Sequence, residues 1–109
     1  MSGSRIKELT EESFAEDTGS GVSLVDFWAP WCGPCRLQGP ILETVAEKVG
    51  VDCVVAKANI ETMQKTASEY GIQSIPTLIL FRDGKEERRY VGVQKEDFLV
   101  SEVQNSLRT

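Results

Sequence analysis

The sequence predicts an α/β fold, a sandwich around a mixed β-sheet, and two observations carry that prediction. Two strongly apolar runs, Val22–Trp28 and residues 51–58, flank a helical pattern from Gly33 to about Val49. Strand, helix, strand in that order makes a parallel, right-handed unit. Residues 77–81 and 87–91 are joined by Asp83-Gly84 and read as a β-hairpin. A hairpin that follows a parallel pair makes the sheet mixed.

Taken in order, Thr10-Glu11-Glu12 has the polar cap and acidic first turn of a helix start, and that short helix fades by Gly19. The run Val22–Trp28 contains β-branched and aromatic residues after a glycine, which favours a strand buried on both faces. From Gly33 onward, Leu37, Ile41, Val45 and Val49 recur every four residues, with Leu42 and Ala46 beside them and Gly50 as a stop. That is an amphipathic helix, and Pro40 inside it is expected to kink it. Residues 51–58 form the second buried strand, and 62–70 another helix stopped by Gly71. Residues 95–107 place Leu99, Val103 and Leu107 on one face of a closing helix.

Size and composition narrow the function classes. The chain has 109 residues, which fits one domain over residues 1–109 and leaves no room for a second. Hydrophobic residues are 40% of it, enough for a core without disulfide staples. A net charge of −5 with no compact Lys/Arg cluster argues against nucleic acid or an anionic membrane as partner. The start, Met1-Ser2-Gly3-Ser4-Arg5, is polar and carries no secretory signal, and no apolar stretch has the length of a membrane span. A cytoplasmic location is the expectation. Histidine is absent, which excludes Cys–His and Ser–His catalysis and any histidine-ligated metal.

The chemistry concentrates in Cys32-Gly33-Pro34-Cys35, where a buried strand gives way to a helix. Disulfide exchange is performed by the thiolate, and a helix N-terminus favours that anion through its partial positive charge and unpaired N–H groups. A spacing of three puts both sulfurs on one side of the first turn, close enough to bond. Gly33 and Pro34 suit that turn. Cys32 therefore has the place of the attacking thiolate, and Cys35, a turn deeper and expected to be more shielded, that of the resolving one. A zinc site would need four ligands, and only Cys53 remains. A purely structural disulfide is a poor fit to a chain with this core and location.

Other residues stand out with two readings each. Asp26 interrupts an apolar strand, where an ionised carboxylate is costly; it is either a proton-handling group of raised pKa or a carboxylate that escapes to solvent. Lys57 interrupts the neighbouring strand and is either a tuning charge or a snorkelling surface lysine. Cys53 reads as a small buried hydrophobe, with a regulatory or dimer-forming thiol as the alternative.

The segment Val25-Asp26-Phe27-Trp28-Ala29-Pro30-Trp31-Cys32-Gly33-Pro34-Cys35, followed by Arg36 and Pro40, resembles the signature of the thioredoxin family. Farther along, Val55-Ala56-Lys57, Asn59, Tyr70-Gly71-Ile72, Ile75-Pro76-Thr77, Phe81, Asp83-Gly84 and Val91-Gly92 match as well, so the likeness runs from about Leu9 to the C-terminus. It implies a thioredoxin fold: a three-layer α/β/α sandwich with a central five-stranded mixed sheet and four flanking helices. It also implies that Asp26 is the buried carboxylate below the dithiol, exchanging protons with Cys35, and that Lys57 lies near it. Pro76 matches the family's cis-proline, presenting the backbone of Ile75 to an extended substrate segment. Trp31, Gly33, Pro34, Ile60, Ile75, Val91 and Gly92 match the flat apolar rim that docks partners. Core packing is the alternative for Ile60, Ile75 and Val91, and Trp28 is expected to pack beneath the site.

Three departures accompany the likeness. Asn59-Ile60-Glu61 lacks the usual aspartate and following proline. Ser74, at the docking edge, stands where many members have glycine and is expected to alter substrate fit. Gln38-Gly39 replaces an apolar–alanine pair and is expected to loosen the long helix.

The resemblance implies a monomeric protein-disulfide reductase that binds no cofactor or metal. Its redox group would be the Cys32–Cys35 disulfide, recharged with NADPH electrons by thioredoxin reductase, and its substrates oxidised proteins such as reductases and peroxidases. Proline after Gly33 resembles the reducing members rather than oxidases or isomerases. From another class, a non-catalytic docking subunit of a larger assembly would use the same rim.

Overall fold

The computed structural model describes residues 5–109, so the polar start Met1–Ser4 lies outside the described residues. In chain order the elements are β1 (Lys7–Glu8), α1 (Phe14–Thr18), β2 (Val22–Trp28), α2 (Gly33–Val49), β3 (Cys53–Asn59), α3 (Gln64–Glu69), β4 (Thr77–Arg82), β5 (Lys85–Val91) and α4 (Glu96–Leu107). The five strands form one mixed sheet in the order β1-β3-β2-β4-β5. β2 is central, parallel to β3 from Val22↔Cys53 to Trp28↔Asn59 and antiparallel to β4 from Val22↔Arg82 to Phe27↔Thr77. This is the fold that the sequence predicts.

Alternation along the strands divides the core between the two faces of the sheet. Val22, Leu24, Val55, Leu78 and Leu80 pack against Leu42, Val45, Leu99 and Val103 of α2 and α4. On the other face Val25, Phe27, Ala56, Ile79 and Phe81 pack with Phe14 and Met63. β2 is therefore apolar at nearly every position because both of its faces are covered. Asp26 falls in register with the first set and so on the α2 face.

Several boundaries differ from the sequence reading. α1 begins at Phe14, not at Thr10, because Thr10 and Ser13 exchange backbone-to-hydroxyl hydrogen bonds at 3.0 Å that hold residues 10–13 as a turn. β3 begins at Cys53: Gly50, at φ 68°, turns the chain out of α2 into a short 3-10 turn that leaves Val51 87% exposed. The edge strand β1 has no apolar signal, and it exists by pairing Lys7 and Glu8 with Ala56 and Lys57 of β3.

The buried stripe of α2 also differs from the one expected. It runs through Cys35, Gln38, Leu42, Val45, Ala46 and Val49, whereas Leu37 is 66% exposed. Pro40 lies inside α2, and the helix continues through it to Val49.

Asp83-Gly84 makes the β4–β5 turn, both residues at positive φ (51° and 83°), the backbone that a tight hairpin requires.

Candidate functional site: a dithiol at the start of a helix

β2 delivers the chain to Ala29, and the Cys32 amide donates to the Ala29 carbonyl at 3.2 Å. Cys32 is the N-cap of α2, in extended conformation, with Gly33 and Pro34 opening the helix. Its Sγ accepts the Cys35 amide at 3.2 Å, which occupies one of the donors that a helix start leaves unpaired. Cys32 and Cys35 are joined as a disulfide with their Cα atoms 5.3 Å apart. The spacing argument and the predicted strand-to-helix position therefore hold.

The expected difference in shielding is not present in this oxidised form: Cys32 is 5% and Cys35 6% exposed. Cys32 is covered from across the sheet, where the Ile75 carbonyl oxygen lies 3.8 Å from its Sγ. Cys35 borders a small open cavity shared with Trp28, Pro30, Gly39 and Lys57.

Asp26 does not escape to solvent. It is 1% exposed, and neither carboxyl oxygen has a hydrogen-bond partner among the described residues. Desolvation raises its pKa to about 7, partly opposed by the positive charge of Lys57. Lys57 is its register partner on β3, and the Lys57 ammonium lies 4.1 Å from the centroid of the Trp28 ring. A cation held over an aromatic face contributes about 1 kcal/mol. Trp28 packs against the Ala29–Cys32–Cys35 cluster, as expected of a residue beneath the site.

The Ile75–Pro76 peptide is cis. Around it, Thr77 Oγ1 donates to the Ser74 carbonyl at 2.6 Å and the Gly92 amide donates to the Pro76 carbonyl at 2.8 Å. Of the rim residues, Trp31 and Val91 are 63% and 60% exposed, which removes core packing as an account of Val91. Gly33, Pro34 and Ser74 are exposed, Gly92 is half-buried and Pro76 is buried. Ile60 and Ile75 are half-buried and pack against the cysteine cluster, so they are partly core and partly surface.

Two residues were missed as site residues. Glu61 accepts the Trp31 indole N–H, and its own amide is held by Asn59 Oδ1 at 2.9 Å. Nothing in the sequence links positions that far apart. Gln38 is fully buried and bonded at both ends to the backbone of Gln94, so it ties α2 down instead of loosening it. Its signal was the 35-38-42-45-49 spacing, which competes with the apolar 37-41-45-49 series and places Gln38 on the core face.

Cys53 is buried and unpaired, and burial pushes its thiol up to about 12. It is therefore expected to resist iodoacetamide at pH 8 in the folded, oxidised protein and to be labelled at once on unfolding. Intact-mass analysis would read the difference, and native labelling would contradict the buried-hydrophobe reading.

Comparisons with known proteins agree with this geometry. The family model described as Thioredoxin matches residues 5–105. The chain is 40% identical to thioredoxin from Bacillus subtilis over 94 residues, covering 86% of this chain and 90% of that protein. It is 44% identical to thioredoxin from Mycobacterium tuberculosis over 98 residues, covering 88% and 84%. Among solved structures, Malassezia sympodialis thioredoxin superposes with a TM-score of 0.85 at 28% identity, covering 94% of this chain and 90% of that one.

Proposed function

Because the chain belongs to the thioredoxin family and is a thiol–disulfide oxidoreductase working through Cys32 and Cys35, we propose that it is a general reductant of oxidised proteins, with the residue roles that follow. The observation that carries this reading is the dithiol at the N-terminus of α2, one sulfur facing the Ile75 edge and the other bordering the cavity above Lys57.

In the reduced protein, the Cys32 thiolate attacks one sulfur of the substrate disulfide, and the other substrate sulfur leaves as a thiolate. The result is a mixed disulfide through Cys32. Cys35 then gives its proton to the Asp26 carboxylate and attacks Cys32 Sγ. The Cys32–Cys35 disulfide forms, and the second substrate sulfur leaves. The substrate gains two electrons and departs as two thiolates, which take their protons from water. The dithiol loses two electrons and the one proton of Cys35, which Asp26 holds and then releases. Asp26 suits the proton step because its pKa of about 7 lets it hold or release a proton near neutral pH. Lys57 supports its return to the ionised state.

Docking is assigned to Trp31, Gly33, Pro34, Ile60, Ser74, Ile75, Pro76, Val91 and Gly92. The exposed apolar surface of Trp31 and Val91 beside the Ile75 carbonyl supports this. Thioredoxin reductase is the partner that recharges the disulfide with electrons from NADPH, and no bound cofactor is needed for the exchange itself. We read residues 1–109 as one domain, acting as a monomer in the cytoplasm and without a nucleic-acid partner; the net charge of −5 fits the last point. No helix among the described residues is long and apolar enough to cross a membrane.

An equilibrium titration in defined thiol/disulfide buffers, read by Trp28 and Trp31 fluorescence, tests the direction of electron flow. The expected result is a reversible two-electron transition below the glutathione poise of about −220 to −260 mV. A strongly oxidising midpoint would make the chain a net oxidant, and the absence of any transition would leave only a docking role.

A further inference from the structure

We propose that Gln38 is a positioning residue that sets the preference for protein disulfides, by locking the loop after β5 to the helix that carries Cys35. The inference rests on the docking role given above to Ile75 and Gly92.

Gln38 lies three residues beyond Cys35 on the buried stripe of α2 and has no exposed surface. A buried carboxamide is costly unless its donor and acceptor are both paired. Here both ends are spent on one residue of another segment. Nε2 donates to the Gln94 carbonyl at 3.1 Å, and Oε1 accepts the Gln94 amide at 2.7 Å. Gln94 belongs to the irregular stretch between β5 and α4, whose backbone groups have no ladder to join.

From Gln94 the connection continues to the docking edge. Its side-chain Nε2 donates to the carbonyls of Val91 and Gly92 at 3.2 and 3.1 Å. The Gly92 amide donates to the Pro76 carbonyl at 2.8 Å, and the preceding Ile75 carbonyl is the one facing Cys32 Sγ. Gly92 itself sits at φ 91°, so its backbone is already committed to one bend. A continuous set of hydrogen bonds thus joins the helix of the dithiol to both backbone segments beside it.

Gln38 touches neither sulfur in this set. Its effect falls on a substrate that uses the edge, an extended polypeptide carrying the disulfide, and not on a small disulfide that meets only the sulfurs. Such a two-point clamp also keeps Val91 presented while the helix end changes redox state.

The test compares insulin with 5,5′-dithiobis(2-nitrobenzoate) as oxidants of the reduced protein, using Gln38→Met, which keeps the volume and loses both hydrogen bonds. KM for insulin is expected to rise about three- to tenfold with kcat within about twofold, because a misplaced edge weakens positioning and not chemistry. The rate with the small disulfide and the midpoint potential are expected to stay at the parent values. Gln94→Ala, which removes only the bonds to Val91 and Gly92, is expected to show the same selective rise and carries the test if Gln38→Met does not fold. Equal losses on both oxidants, or no change on insulin in the folded variants, would overturn the inference. If the parent protein reduces neither oxidant, it is the reductase reading that fails.

Discussion

Cys35→Ser is expected to stop turnover and leave the protein covalently attached to its substrate. Cys32 keeps its place at the helix N-cap in that variant, so the first attack still occurs. The mixed disulfide then has no resolving thiol, since Cys53 is buried at the start of β3, paired with Val22 at the end of β2 opposite Trp28 and the motif. Steady-state reduction of insulin is expected to fall by at least about 10³-fold, because losing one member of a nucleophilic pair removes the step outright. Intact-mass analysis would show a one-to-one adduct that dithiothreitol releases. Cys32→Ser, with the N-cap sulfur beside the Ile75 edge gone, is expected to lose activity without forming any adduct. An adduct on Cys32→Ser but none on Cys35→Ser would reverse the assignment of attacking and resolving thiols.

Asp26→Asn is expected to stabilise the folded protein at high pH and leave its stability nearly unchanged at pH 4. The carboxyl has an ordinary value of 3.8 in the unfolded chain and about 7 in the folded one, with desolvation as the main cause. Between those values the unfolded chain has already released the proton that the folded protein still holds. Stability therefore falls as pH rises through this window, and is flat above it. A separation of roughly three pH units at about 1.4 kcal/mol each corresponds to about 4 kcal/mol. Asparagine keeps the shape and cannot ionise, so the variant escapes that loss above pH 7. Urea melts of both proteins from pH 4 to pH 9 would read the difference directly. Equal stability at pH 9 would mean that Asp26 is already compensated, contrary to its oxygens having no hydrogen-bond partner among the described residues. The variant's turnover is also expected to lose its inflection near pH 7, as the group proposed to take the Cys35 proton is gone.

These two expectations draw on different parts of the chain's information. The dithiol was legible because strand-to-helix transitions leave a local signature: an apolar run, then Gly33-Pro34, then a helical period. The hairpin was legible for the same kind of reason, since Asp83-Gly84 supplies the positive φ angles that the turn needs. Leu37 was expected on the buried stripe and Gln38 was expected to loosen the helix because two spacings overlap on α2, and only the packed neighbours decide which one faces the core. β1 left no mark because its two residues gain their strand conformation from β3 alone.

By itself the sequence determined the order of elements, the mixed character of the sheet, the pairing of Cys32 with Cys35 and the family to which they belong. Each depends on interactions within a few residues or on a pattern of side-chain types along the chain. Tertiary structure alone decided that Asp26 is enclosed with no hydrogen-bond partner among the described residues, that Lys57 sits over Trp28, and that Gln38 holds Gln94. The energy of a polar side chain depends on what surrounds it, and those surroundings come from strands and loops far away in the sequence.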